Sequence, residues 1–560
     1  MKMNYKKIFA GLMLSCALLV SCDDQDYVDI NKDPDGLTAI PPESQFLKAT
    51  VSIHSQDYEA FYDFYRRMMP WMQYVTPTLG NGEDFTSNFG NFYRYDRLYI
   101  GVGDVLTDMD SLVGKLPEKD QPRYNQMKHI GHILKAYYAF YVTDIFGSIV
   151  YSQGFQARYG GTLLPAYDNQ QTLLPLLDSE IEAAVAGLKE AQELPQIPLG
   201  SFDQYYNGDI NAWMKAGNAL RLRIATRLVK RDRNKATEIA NEVLADASNL
   251  MIGNADGWVL KTAAKFTDGG NYNPDGLRAS KPLVDFLLAN DDPRLDAFVE
   301  PNDYSQANID FMIANGKLNA GTTAQNRYVG SFTSPDEVAD DDLYNQFYTP
   351  VQFTVGDASY NYDTLSLIQR RLFQPSFNNG TGVNYIPVLT YADFCFNRAE
   401  LAELGVTTED AKTYYDKGVV ASIEWYNEAA IAAKLQNYTV LGGTEITNYL
   451  AQPAIAFDET KALEQIAAQV YLNSFRQPSE GWAVWKRTGY PSAASTVLPL
   501  TDMKTNNVSL RIPRRAPLSP PLESAPNYDN IKKAYDEMAA DPNFGQSTMD
   551  AFGRVWWDAL

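Results

Sequence analysis

The sequence predicts a mainly α-helical protein whose amphipathic helices stack in pairs, interleaved with long irregular segments that hold a few short strands. Three observations lead there. From about residue 44 onward, apolar residues recur at steps of three and four through much of the chain, the spacing that gives a helix one buried face. Four stretches, 148–168, 249–280, 300–390 and 477–528, lack that period and are rich in Gly, Asn, Asp, Pro and Tyr. Of the 560 residues, 45% are hydrophobic and 21% charged, the composition of a folded globular chain and not of a disordered or collagen-like one. No repeat of constant length is legible, so periodicity alone does not make the stack a solenoid.

The N-terminus comes first in the chain. Lys2, Lys6 and Lys7 precede an apolar run from Ile8 to Val20, then Ser21 and Cys22. A basic start, a short apolar stretch and a small residue are the parts of a secretory signal, too short to span a bilayer stably. Leu19-Val20-Ser21-Cys22 resembles a bacterial lipobox, which implies cleavage before Cys22 and acylation of that cysteine. No later run reaches the ~18 consecutive apolar residues of a membrane helix, so lipid alone is expected to hold the protein. Several acyl chains on one cysteine anchor stably where a single chain does not. Residues 1–21 are therefore expected to be the signal, 22–42 an acidic flexible tether and 43–560 the folded domain. In the tether, Asn31, Asp33, Asp35 and Gly36 occupy places of a calcium loop, but Pro42 stands where its last carboxylate belongs. A turn is expected there, with no metal.

The helices follow in order. Over 124–145, Ile130, Ile133, Leu134, Tyr137, Tyr141 and Ile145 share a face, and Gly147 is a natural stop. Leu173, Leu177, Ile181, Val185 and Leu188 set a helix over 170–189, and Trp213, Leu220, Ile224 and Leu228 one over 210–230. Ile239, Val243 and Leu244 place another over 234–247. Later helices are expected over 391–404, 409–430 and 458–475, the last with Ile466, Val470, Tyr471 and Phe475 in register. In the irregular 300–390 stretch, the run from Pro350 to Val355 reads as a strand.

Composition excludes several functions. Lys+Arg 48 against Asp+Glu 69 gives a net charge of −21, which argues against nucleic acid or an anionic headgroup as the main partner. The histidines are His54, His129 and His132, too few for a multi-histidine metal centre. Cys395 lies between Phe394 and Phe396 and is expected to be a small buried hydrophobe. There is no phosphate-binding loop and no Gly-x-Ser-x-Gly elbow, and Gly101-Val102-Gly103 lacks the third glycine of a dinucleotide site. Carboxylate pairs such as Asp291-Asp292 are as expected on a solvated acidic surface. No catalytic residue and no cofactor is expected.

Several motifs carry a family resemblance. Asp144-Ile145-Phe146-Gly147-Ser148-Ile149-Val150-Tyr151-Ser152 resembles the D-x-F-G-D-I-P-Y-S segment of SusD-like (SusD/RagB) outer-membrane nutrient-binding lipoproteins, with Ser148 and Val150 in place of Asp and Pro. The stretch from Trp213 to Arg223 is similar to the family's W-x-K-x-A-N-S-L-R-L-R helix, and Tyr391-Ala392-Asp393-Phe394 with Arg398-Ala399-Glu400 to Y-A-E-V-x-F-L-x-A-E. The segment from Glu480 to Pro491, Arg511 to Arg515, and Asp292-Pro293-Arg294-Leu295 also match. The matches run in family order over nearly the whole chain. They imply tetratricopeptide-like helix pairs packed against an irregular, loop-rich half. They also imply a surface-exposed outer-membrane lipoprotein that binds oligosaccharides, without cleaving them, and hands them to a SusC-like TonB-dependent transporter. The cluster Asp23, Asp24 and Asp26 resembles a surface-export signal of such lipoproteins.

A sugar offers an apolar C–H face to an aromatic ring and a rim of hydroxyls to amides and arginines. Aromatics with such partners in loop-like contexts are Trp71 and Tyr74, with Phe85 and Asn88 downstream, Tyr272 between Asn271 and Asn273, and Tyr328 after Asn326 and Arg327. The expected ligand contacts are Trp71, Tyr74, Phe85, Tyr272, Arg327 and Tyr328. Two other readings remain: a peptide-binding member of the same family, which would need backbone-pairing groups, and a surface glycoside hydrolase, which would need two carboxylates across a cleft.

Overall fold

The computed structural model describes residues 40–76, 92–274, 276–324, 326–340, 342, 351–436 and 438–560. The expected signal peptide, Cys22 and nearly all of the expected tether lie outside the described residues, as does Phe85. The longer helices are α1 (Pro42–Ser52), α2 (Glu59–Met68), α3 (Gly103–Gly114), α4 (Asn125–Phe146), α5 (Gln170–Lys189), α6 (Ile210–Leu228), α7 (Arg233–Ala245), α8 (Lys281–Ala289) and α9 (Gln306–Ala314). They continue with α10 (Tyr391–Glu403), α11 (Ala411–Ala433), α12 (Gly443–Leu450), α13 (Ala462–Asn473), α14 (Pro478–Thr488) and α15 (Tyr528–Ala539).

The helix ends follow local chemistry. Asn169, Asp209, Asp232 and Asp410 each accept a backbone N–H from the first turn of the helix they precede, as good N-caps do. Thr390 and Asp393 cap α10 reciprocally. Gly147 ends α4 with φ of 80°, a conformation only glycine adopts freely. These caps fix boundaries that hydrophobic periodicity alone leaves loose, and the seven helices expected from it all form.

Packing is between chain neighbours. Helix α4 lies on α5, α5 on α6, and α6 on α7; α10 lies on α11, and α13 on α14. Helix α6 also touches α10, which joins the two sets. This is the tetratricopeptide-like stacking of helix pairs. Helix α6 is buried along nearly its whole length, and Trp213 within it meets Trp258 edge-on at 5.1 Å. Its arginines are buried too, and each reaches a different neighbour. Arg221 pairs with Asp178 on α5 at 2.7 Å, Arg223 with Asp393 on α10 at 3.1 Å, and Arg227 with Asp144 on α4 at 2.9 Å and Glu480 on α14 at 3.0 Å. The motif that resembled the family helix is therefore an internal clamp.

The irregular part contains β1 (Trp258–Ala263), β2 (Val351–Val355), β3 (Ala358–Tyr362) and β4 (Val383–Leu389). Strands β1 and β4 pair antiparallel from Trp258↔Leu389 to Ala263↔Val383, and β2 and β3 form a hairpin with Val351 opposite Tyr362. The hairpin covers a small separate cluster around Ile309, Met312 and Phe353. The strand expected near 350–355 is thus present. The structure adds α14 inside the 477–528 stretch. Its 11 residues are too few to establish a period, and burial of Trp482, Ala483 and Val484 decides its place. It also adds α2, wound with π-type turns.

Candidate functional site

Helix α2 separates two chemistries. Glu59, Asp63 and Arg67 recur every four residues and face inward. Glu59 Oε1 accepts the Tyr141 hydroxyl at 2.6 Å and lies 3.1 Å from Arg94. Asp63 Oδ1 pairs with Arg67 at 3.0 Å, and its Oδ2 accepts the backbone N–H of Tyr93 at 2.9 Å. Burial, with Glu59 beside it, pushes the Asp63 carboxyl up to about 8. The two carboxylates and their arginines form a fixed polar layer under the helix.

Above that layer the outward rings gather. Tyr58 and Tyr62, four residues apart, stack with centroids 5.9 Å apart and planes 7° from parallel. Tyr93, held by Asp63, lies 5.4 Å from Tyr58 and 5.3 Å from Tyr62. Tyr58 is 46% exposed, and Tyr62 and Tyr93 are half-buried. Phe61 meets Tyr62 edge-on at 5.0 Å, and the Arg66 guanidinium sits 5.5 Å from the Phe61 ring centre. The result is a surface aromatic platform with a cation at its edge. Tyr93, fixed by its backbone hydrogen bond to the buried Asp63, loses little freedom when a ligand stacks on it.

The expected site residues fall in four places. Trp71 and Tyr74 are corrected: both are core. Trp71 is 1% exposed and 5.2 Å from Trp482. Tyr74 is fully buried, stacks on Tyr471 at 4.2 Å and donates its hydroxyl to the Tyr471 carbonyl at 2.6 Å. Neither ring has a free face, because the short chain segment after α2 turns inward between α13 and α14. Phe85 is outside the described residues. Tyr272 is brought to α2, where its carbonyl accepts the Tyr65 hydroxyl at 3.0 Å and its own hydroxyl donates to the His54 carbonyl at 2.9 Å. The neighbouring Asn271 donates to Asp57, next to Tyr58. Tyr272 therefore borders the platform, half-buried and anchored at both ends.

Arg327 and Tyr328 lie elsewhere. Arg327 lines a polar cavity of about 200 Å³ and donates to the Asn302 carbonyl at 2.6 Å. In the same cavity Arg370 pairs with Glu300 at 2.8 Å and covers Phe377 at 4.3 Å. Tyr328 donates to Asp296. The aromatic face there is already covered by a guanidinium, so this cavity offers no stacking platform.

Other motif residues are structural. Arg514 pairs with Asp558 at 2.7 Å, Arg515 donates to the carbonyls of Ser547 and Thr548, and Arg511 lies over Phe552. His132 pairs with Asp110 at 3.2 Å, and His129 packs on Gly187, where a Cβ would come 2.2 Å from its ring. Cys395 is buried, which pushes its thiol up to about 12. Among the described residues no helix is long and apolar enough to cross a membrane, and no group of three metal-ligating side chains gathers.

Sequence reasoning missed Tyr58, Tyr62 and Tyr93. One signal was present: Tyr58 and Tyr62 stand four apart, in phase with the polar set Glu59, Asp63 and Arg67. It was unreadable as an outward face, because periodicity assigns aromatics to the core and charges to solvent.

Comparison with known proteins bears on the same geometry. A SusD-like family model, described as starch-binding and associating with the outer membrane, matches residues 34–518. A SusD homologue from Bacteroides fragilis aligns with a TM-score of 0.68 and 21% identity over 93% of this chain and 100% of its own. A chitin-binding protein aligns with a TM-score of 0.67 and 20% identity over the same shares. A chitin-binding SusD homologue from Flavobacterium johnsoniae aligns at 0.59 and 20% identity, over 92% of this chain and 98% of its own. No curated protein sequence matches.

Proposed function

Because the chain belongs to the SusD-like family of outer-membrane-associated, starch-binding proteins, we propose that it is a non-catalytic, surface-exposed lipoprotein that binds oligosaccharides and passes them to a SusC-like TonB-dependent transporter. The observation that carries the glycan reading is the Tyr58–Tyr62–Tyr93 platform. A peptide adding to a sheet edge needs unpaired backbone groups, whereas stacked, partly exposed rings suit the C–H faces of successive sugars. Tyr272 and the adjacent amides of Asn271 and Asn273 supply rim contacts in this reading. Phe85 keeps its expected place as a ligand contact, and Arg327 and Tyr328 serve an outlying polar subsite. The two structural neighbours described as chitin-binding make a β-linked amino sugar the first glycan to try.

The test is a glycan-array screen, followed by calorimetry, of the chain beginning at Asp23. Binding of at least one oligosaccharide is expected, with no shorter product released on prolonged incubation. Chromatographic detection of cleavage products would overturn the non-catalytic reading. Binding only to peptides would overturn the glycan reading.

Membrane attachment in this reading rests on residues 1–21 as signal, Cys22 as lipid acceptor and 22–42 as tether to the domain from 43 onward. Cys22→Ala is expected to move the protein to the soluble fraction in cells lacking the transporter. Persistence of that variant in the membrane fraction would refute attachment by lipid alone. Replacing Asp23, Asp24 and Asp26 together by Ala should protect the protein from protease added to intact cells.

A further inference from the structure

Helix α2 carries two rows of side chains at four-residue steps, and their cations differ in what they hold. In the inward row Arg67 is committed to Asp63 at 3.0 Å, and Arg94 beside it to Glu59 at 3.1 Å. The outward row runs Tyr58, Tyr62, Arg66. Arg66 lies 5.5 Å from the Phe61 ring centre and 5.9 Å from that of Tyr62. Among the described residues it has no hydrogen bond and no ion pair. It is half-buried, and its guanidinium nitrogens keep access to solvent. The carboxylates of the same segment are held by other donors: Asp57 by Asn271, Glu59 by Arg94 and Tyr141, and Asp63 by Arg67 and the Tyr93 N–H. Arg67 is near enough for the two guanidiniums to repel each other.

A free cation beside open aromatic rings has a chemical consequence. The chain has 69 acidic residues against 48 basic ones, yet the carboxylates around Arg66 are engaged and its own charge is not. An anion that reaches Arg66 displaces no partner, and it offsets the repulsion from Arg67. The negative charge of the whole chain does not prevent this, because it is screened beyond about 10 Å at about 0.1 M salt. A guanidinium is a planar fork that fits a carboxylate through two parallel hydrogen bonds. Arg66 follows Tyr62 in the row, so a sugar stacked on Tyr58 and Tyr62 brings its own substituents, or those of the next ring, to the guanidinium.

We infer that the platform selects acidic oligosaccharides, with Arg66 taking the carboxylate of a uronic acid at or beside the stacked sugar. This rests on the reading of the platform as a glycan site and adds the class of glycan. With a β-linked amino sugar as the first candidate, the fitting ligand alternates an amino sugar with a uronic acid. Arg66 is then the specificity-determining residue, and the tyrosines supply the affinity common to neutral and acidic chains.

The test is calorimetry on the soluble chain beginning at Asp23, with two probes. One is a hyaluronan tetrasaccharide, which alternates glucuronic acid with N-acetylglucosamine. The other is the same tetrasaccharide with its carboxyls reduced to alcohols. The acidic form is expected to bind about fivefold tighter, the scale of one partly exposed ion pair, and the advantage should shrink as salt is raised. Tyr58→Ala with Tyr62→Ala should weaken both forms alike. Arg66→Gln should bring the ratio of the two affinities close to one. Arg66→Lys, which keeps the charge and loses the fork, should keep part of the advantage. Equal affinities in the parent chain, an advantage that survives Arg66→Gln, or acidic binding untouched by the double tyrosine change would each overturn the inference. So would failure of both probes with a chain that binds another, neutral oligosaccharide on the platform, and the glycan reading would then stand. If no oligosaccharide of any kind binds, that reading fails and this inference with it.

Discussion

Replacing Arg227 by Ala should cost about 3–5 kcal/mol of stability, the loss typical of breaking a buried ion pair by removing one partner. Arg227 is fully buried, lies between Asp144 and Glu480, and rests on the Trp557 ring at 5.1 Å. Its loss would leave Asp144 on α4 without its guanidinium and Glu480 on α14 with only Arg223, 3.8 Å away, in the middle of the stack. Urea denaturation at neutral pH measures the effect. A loss below about 1 kcal/mol would show that the clamp is not what joins these helices. Adding Asp144→Asn and Glu480→Gln to an Arg227→Met chain should recover much of the loss, because the remaining cost is desolvated charge.

The same network sets the acid limit. Burial pushes the Glu480 carboxyl up, but Arg223 and Arg227 outweigh it and hold the group at about 2, below its ordinary value of 4.5. A depressed carboxylate contributes stability that is present above its unfolded value and lost as pH falls through the folded one. Stability should therefore decline between about pH 4.5 and pH 2. Glu480→Gln should flatten that part of the profile. A profile identical in the two proteins would remove Glu480 from the account.

Tyr58→Ala combined with Tyr62→Ala should reduce affinity for a bound oligosaccharide by about a hundredfold (about 2.7 kcal/mol) while leaving the fold intact. Each single change should cost about tenfold. Both rings are partly exposed, whereas their neighbours Glu59 and Asp63 hold the helix from beneath. Tyr58→Phe should be nearly neutral if the ring face makes the contact. Trp213→Ala is the contrast: Trp213 is fully buried and donates to Asp203 at 2.7 Å, and its truncation should cost about 3–5 kcal/mol of stability. Affinity within about twofold of the parent in the double tyrosine variant would show that the platform is elsewhere, with Tyr272 and Phe85 the next rings to change.

The helices were legible because their signal is local. Ile130, Ile133, Leu134 and Tyr137 predict a buried face four times over within two turns, and Gly147 marks the end whatever surrounds it. The order of family-like motifs fixed the architecture before any contact was known.

The ligand surface was not legible, because a side chain's exposure depends on segments far away in the chain. Trp71-Met72-Gln73-Tyr74 reads as a loop with two free rings, but Tyr471 and Trp482, some four hundred residues later, close over them. Nothing in the sequence marks Tyr58, Tyr62 and Tyr93 as a group, but the Asp63 carboxyl turns inward to take the Tyr93 N–H and the three rings gather on the outer side. The sequence by itself determined the helical class and the helix pairs, since period-3.6 burial and caps are properties of adjacent residues, and its ordered motifs carried the family resemblance. Only the tertiary structure decided which aromatics pack and which remain open to a ligand, since that choice rests on which distant charges and rings arrive to satisfy each buried group.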